Sequence, residues 1–198
     1  MCIRDSIDIF RSRKTEGGDK FHDYFYHNIG QELSLGLALS EKDAGDFAEG
    51  CIPGYKYFSD VAAGDGSKDF GGVFTMKVND GKSVGMKMWM RGSKGRKIYK
   101  GGAAGPRSMI RAKLPYDVMK TPMNTVIARQ EGEAWSKPFT AVYMPYASVE
   151  KDFVKKVTFY GKGFEGIKVK RADGKTDKIE AYPDGRLVIV TGGKTYNN

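Results

Sequence analysis

The sequence predicts an all-β fold, a large antiparallel β-sandwich of stacked sheets. Three observations lead there. Apolar residues recur with period two, helical periodicity is nearly absent, and Asp-Gly turns separate the strand-like runs. In 32–39, Leu33, Leu35, Leu37 and Leu39 share one face, and Ser34, Gly36 and Ala38 share the other. In 84–91, Val84, Met86, Met88 and Met90 alternate with Gly85, Lys87, Trp89 and Arg91, giving an apolar face and a basic-aromatic one.

Taken in order, strands are expected near 6–11, where Ile7 and Ile9 alternate, and near 21–28, 32–39, 55–58, 73–78 and 84–91. Further strands are expected near 96–100, 109–114, 124–130, 138–145, 154–160, 165–172, 176–182 and 186–192. The triplets "NDG" (79–81), "ADG" (172–174) and "PDG" (183–185) supply residues that tolerate positive φ, so they predict hairpin turns. One short helix is expected within 40–50, and the Gly-rich stretch 91–108 reads as a hairpin and an exposed loop. No phosphate-binding loop is formed there, because no Gly-Lys-Ser/Thr ending opens a helix.

The formal net charge is +9 over 198 residues, so the surface should attract polyanions. The basic residues are dispersed, with no basic arm, paired aromatic RNA-binding strands or recognition helix, which argues against nucleic acid as partner. No apolar run is long enough for a membrane-spanning helix, and the start "MCIRDSIDIF" lacks the features of a signal peptide. Residues 1–6 resemble an adapter-derived leader. With strand-like sequence directly behind them, this leads us to expect that 7–198 is the C-terminal sandwich domain of a longer protein, truncated at its N-terminal side. An unpaired strand edge near Ile7 and Ile9, favouring aggregation, would follow. Cys2 and Cys51 have no metal-binding spacing.

Both histidines lie in "FHDYFYHNIG" (21–30). On a strand, His22, Tyr24, Tyr26 and Asn28 project from one face, and Phe21, Asp23, Phe25 and His27 from the other. The histidines therefore point in opposite directions, and no third His completes a zinc shell, so no metal site is expected. No Ser/His/Asp order or nucleophile elbow can be assembled around them, so no catalytic residue is assigned. Lys87, Trp89 and Arg91 could hold a charged sugar, the indole against a pyranose ring and the cations against its acidic groups. The same residues would equally form an ordinary solvated strand face. In 128–146, Arg129, Glu131, Glu133 and Trp135 cluster at a polar bend between two strands, where Trp135 could cover the end of a sandwich and Arg129 pair a carboxylate.

The segments "IDIFR" (7–11), "HDYFYHN" (22–28), "LPYDV" (114–118), "RQEGEAWSKPFTAVYMPY" (129–146) and "KKVTFY" (155–160) resemble the C-terminal part of heparinase II/III-like polysaccharide lyases, in particular marine bacterial members acting on alginate or ulvan. The resemblance implies an α/α toroid preceding a β-sandwich, with an extracytoplasmic enzyme, periplasmic or secreted, that cleaves a uronate-containing polysaccharide by β-elimination. It implies that Tyr and His act as acid and base, mostly from the toroid. The family's His-x-His-x-Asp, Asp-Pro-Gly-Thr-Tyr and His-Asn-Thr segments, which supply a structural zinc and part of the catalytic set, are absent here. The chain alone is thus expected to be inactive and to carry no cofactor, its partners being the toroid and an acidic polysaccharide. The substrate-binding candidates are His22, Tyr24, Lys87, Trp89, Arg91, Arg129 and Trp135. The alternative is a non-catalytic carbohydrate-binding module working through Trp89 and Trp135, or a purely structural sandwich.

Overall fold

The computed structural model describes residues 5–45, 47–78, 81–105, 121–148 and 150–198. The expected strand at 109–114, the "NDG" turn, the "LPYDV" segment, Cys2 and most of the leader lie outside the described residues, in whole or in part. The strands in chain order are β1 (Ser6–Ser12), β2 (Phe21–Asn28), β3 (Glu32–Leu35), β4 (Ser59–Asp65), β5 (Phe70–Lys77), β6 (Ser83–Met90) and β7 (Arg96–Ala103). They continue with β8 (Met123–Glu131), β9 (Ala134–Ala147), β10 (Val154–Tyr160), β11 (Glu165–Arg171), β12 (Thr176–Ala181), β13 (Leu187–Thr191) and β14 (Lys194–Asn197).

Three antiparallel sheets stack as layers. The central one has the order β1-β9-β6-β5-β3. The second, β2-β8-β7-β4, packs on one face of it through Phe74, Met88, Met90, Ile98, Phe139 and Tyr143. The third, the meander β10-β11-β12-β13-β14, packs on the opposite face through Val142, Met144, Ile167, Val169 and Trp89. A sheet covered on both sides has no solvated face, which is why Pro138 to Met144 of β9 are all buried and, apart from Thr140 and the Tyr143 hydroxyl, apolar. The outer face of the second sheet is closed by the excursion between β3 and β4, whose Phe47, Tyr55 and Phe58 pack on Tyr99 and Ile127.

Several boundaries differ from the sequence reading. The segment expected as a strand at 55–58 is a 3₁₀ turn, Pro53–Tyr57, with Pro at its start supplying the fixed φ that begins a helical turn. The expected helix within 40–50 is a single 3₁₀ turn at Lys42–Ala44. Strand β3 stops at Leu35, although Leu37 still packs on the core. β4 escapes pattern reading because "SDVAAGD" has small residues and no alternation, and the terminal β14 has no buried residue to mark it. β1 is an edge strand of the central sheet, paired with β9, and the Ile7 and Ile9 side chains pack toward the third sheet.

Candidate functional site

Strand parity sends the two histidines to opposite faces of the second sheet. His22 Nδ1 lies 2.8 Å from Ser12 Oγ, and its Nε2 lies 2.7 Å from Asp19 Oδ1. His27 Nδ1 bonds Thr125 Oγ1, its ring stacks on Phe25 and Phe58, and burial pushes its pKa down. Among the described residues no three His, Cys, Asp or Glu side chains gather as metal ligands. With both His22 nitrogens engaged and His27 on the other face, this donor set does not fit a zinc site.

Tyr24 donates to Asp8 Oδ2 at 2.6 Å and lies 2.8 Å from the Tyr143 hydroxyl. Burial first, and then the Asp8 carboxylate, hold the Tyr24 phenol above its ordinary pKa. Beside it Phe10, 44% exposed, packs near Tyr24 and Phe139, so aromatic surface opens between β1 and β2.

Three of the cations expected to meet ligand are taken up by internal ion pairs. Lys87 Nζ reaches Asp152 Oδ2 at 2.5 Å. Arg91 Nη1 bonds Glu165 Oε2 at 2.9 Å, and its Nη2 bonds Gly161 O at 2.8 Å. Glu165 also accepts from Thr140 Oγ1 at 2.6 Å, so Arg91 and Thr140 together tie the third sheet to the central one. Arg129 grips Asp23 with two bonds of 2.9 and 2.8 Å and lies 4.0 Å above the Phe21 ring. Trp89 is packed between the central and third sheets, so the basic-aromatic face of β6 is an interlayer surface.

Trp89 is half-buried there, whereas Trp135 belongs to none of the three hydrophobic clusters. It is half-buried and stands between two recesses at the same end of the central sheet. One is a cleft of about 340 Å³ whose walls include Arg11, Arg91, Trp135, Lys137 and Glu165. The other, about 530 Å³, is lined by Ile7, Ile9, Tyr182, Leu187 and Ile189, with Arg11 and Arg186 at its margin. Arg11 Nη1 donates to Trp135 O at 2.6 Å, and the Arg13 guanidinium lies 4.5 Å above the indole. Arg186 lies 3.8 Å above Tyr182, which itself stacks on Phe164. Among the described residues, Arg11, Arg13, Lys137 and Arg186 have no carboxylate within ion-pair distance. A flat indole under Arg13, in recesses that Arg11, Lys137 and Arg186 also line, can stack on a sugar ring while these cations attract its acidic substituents.

The cleft walls are braced from inside. Arg96, 3% exposed, donates from Nη1 to Arg91 O at 2.8 Å and from Nη2 to Lys137 O and Pro138 O at 2.8 and 3.0 Å. Burial pushes its pKa down to about 10, where it is still charged at neutral pH. Gly92 belongs to the same wall, and an added Cβ there would fall 2.2 Å from the Lys68 carbonyl carbon. The bend before Trp135 is held by Glu133, whose Oε2 accepts from the Trp135 and Ser136 amides at 2.6 and 2.9 Å. Of the cleft, sequence reasoning had singled out Arg91 and Trp135. Arg11, Arg13, Lys137 and Arg186 carry no pattern that separates them from other surface cations.

The molecule is therefore an all-β, three-layered sandwich with a basic, aromatic-lined cleft at one end. No family model matches the chain. Over 153 residues it is 33% identical to an endo-acting ulvan lyase of Formosa agariphila (strain DSM 15362 / KCTC 12365 / LMG 23005 / KMM 3901 / M-2Alg 35-1), a stretch that is 70% of this chain. The similarity relates the chain to a polysaccharide lyase, of whose length the match takes up 17%.

Proposed function

We propose that this chain is the β-sandwich part of a heparinase II/III-like lyase that cleaves a uronate-containing polysaccharide by β-elimination outside the cytoplasm, in the periplasm or after secretion. The observation that carries the reading is the 33% identity over 70% of the chain to an endo-acting ulvan lyase. In this reading the acid and base belong to a toroid that packs on the sandwich, and the chain by itself holds substrate without cleaving it or binding a cofactor. Trp135 stacks on a sugar ring, and Arg11, Arg13, Lys137 and Arg186 attract the acidic groups along the polymer. The positive charge of +9 supports a polyanionic ligand.

A non-catalytic carbohydrate-binding module is the second reading, favoured by the half-exposed Trp135 under Arg13. Its other anchor, Trp89, is also half-buried and packs against the cluster between the central and third sheets. The test is retention of residues 1–198 on immobilised ulvan, alginate and heparin. Retention at low salt that falls steeply with added salt, and that weakens at least several-fold in Trp135→Ala, is the expected result. Passage of the wild-type chain through all three matrices at low salt would sink the cleft assignment. Release of unsaturated uronate, read by ultraviolet absorbance, would overturn the claim that the chain is inactive alone.

A further inference from the structure

The residues around His22 form a hydrogen-bonded chain that the sequence order Ser12, Asp19, His22 does not reveal. Ser12 Oγ, His22 Nδ1, His22 Nε2 and Asp19 Oδ1 follow one another with contacts of 2.8 and 2.7 Å. We propose that Ser12 is a nucleophile activated by the His22–Asp19 pair, and that this group of residues at the junction of β1 and β2 hydrolyses small acyl esters. The proposal is independent of the lyase reading and concerns a different face of the central sheet.

The geometry meets the requirement for an activated serine: nucleophile and base within hydrogen-bond reach, and the base oriented by a third group. Asp19 sets the tautomer. Its carboxylate accepts from His22 Nε2–H and from the Lys14 amide at 2.9 Å, which leaves the Nδ1 lone pair for the Ser12 hydroxyl. Burial alone would raise the Asp19 pKa, but these two bonds outweigh it and hold the carboxyl below its usual range, so it is ionised at neutral pH. The His22 and Asp19 side chains are 14% and 11% exposed, shielded from bulk water yet reachable. The loop that returns Asp19 to His22 turns through Gly17 and Gly18 at φ of 77° and 68°, a conformation that favours glycine. Ser12 lies where β1 loses its regular register with β9, pairing Ala134 after a shift from Phe10. Irregular strand positions of this kind re-aim a side chain.

The step balances without any further reagent. Ser12 Oγ bonds to the ester carbonyl carbon as its proton passes to His22 Nδ1. The carbon–oxygen bond to the alcohol then breaks, and the departing oxygen takes the proton from His22. Water adds to the acyl-serine by the same route, releasing the carboxylic acid and restoring Ser12.

The test is labelling of the full 198-residue chain by a fluorophosphonate probe, located by peptide mass mapping, together with hydrolysis of p-nitrophenyl acetate. The expected result is phosphonylation at Ser12 above every other serine, slowed at least ~100-fold in His22→Gln and clearly slowed in Asp19→Asn, with unchanged circular dichroism. The Ser12→Ala chain should lose both the label and ester hydrolysis beyond that of the buffer. An unlabelled Ser12 in the wild-type chain overturns the proposal without any variant having to fold. So does a His22→Gln chain that labels at the wild-type rate, because the serine would then owe nothing to its base.

Discussion

Replacing Arg129 by alanine tests whether this residue is part of the structure or part of the binding surface. Its two bonds to Asp23 are 2.9 and 2.8 Å, and the two side chains are 12% and 4% exposed, so solvent screens them little. Burial works against the charge on Arg129, and the Asp23 carboxylate more than offsets it, leaving the guanidinium pKa above its ordinary value. Arg129 also bonds Phe47 O at 3.2 Å, fastening the β3–β4 excursion to the second sheet. With Arg129 removed, Asp23 keeps the Tyr55 hydroxyl at 2.7 Å but loses its counter-charge. Breaking such a buried pair from one side costs about 3–5 kcal/mol. A domain of this size loses about 2–4 °C of melting temperature per kcal/mol, so Arg129→Ala should melt about 6–20 °C lower. Thermal melts followed by near-ultraviolet circular dichroism measure this directly. The double variant Asp23→Leu with Arg129→Met should recover most of the loss, because it leaves no unpaired charge behind. A single variant melting within about 2 °C of the wild type would refute the reasoning, since that shift corresponds to at most about 1 kcal/mol. An equal loss in the single and double variants would place the energy in packing on Phe21 instead.

The other predictions concern the two tryptophans and the bend between them. Trp89→Ala should destabilise the fold by about 2–4 kcal/mol in chemical denaturation while leaving retention on acidic polysaccharide unchanged, because the indole fills the space between two sheets. Trp135→Ala should do the reverse, weakening retention with a small change in melting temperature. Glu133 is held below its ordinary pKa of 4.5: burial opposes this, and the bonds from Ser136 and the Trp135 amide prevail. A depressed carboxyl contributes stability above the unfolded value that is lost as pH falls through the folded one. Glu133→Gln should therefore flatten part of the stability loss on acidification below about pH 4.5, by less than about 1 kcal/mol because the group is mostly solvated. A wild-type acid profile in that variant would count against the role given to the bend.

Strand parity is a local property, and for that reason much of the fold is legible in the chain itself. Alternation alone places His22 and His27 on opposite faces of one strand and puts Met86, Met88 and Met90 together on the core side of β6, while the turn residues locate hairpins at "ADG" and "PDG". What local pattern could not say was how many layers there are. The basic-aromatic face of β6 reads as a sugar-binding or an ordinary solvated face, and local pattern gives no sign of the third sheet that packs against it.

The sequence by itself determined an all-β chain, its turns and which side chains share a face, because these follow from the two-residue repeat of a strand and the φ preferences of Asp and Gly. Only the tertiary structure decided which charges remain without a carboxylate partner. Lys87 meets Asp152 across 65 residues and Arg91 meets Glu165 across 74, whereas Arg11 and Arg13 converge on Trp135. Ion pairing is set by sheet order and layer stacking, so the cleft comes into being only when distant strands are brought together, whereas the Ser12–His22–Asp19 chain is closed locally by the loop between β1 and β2.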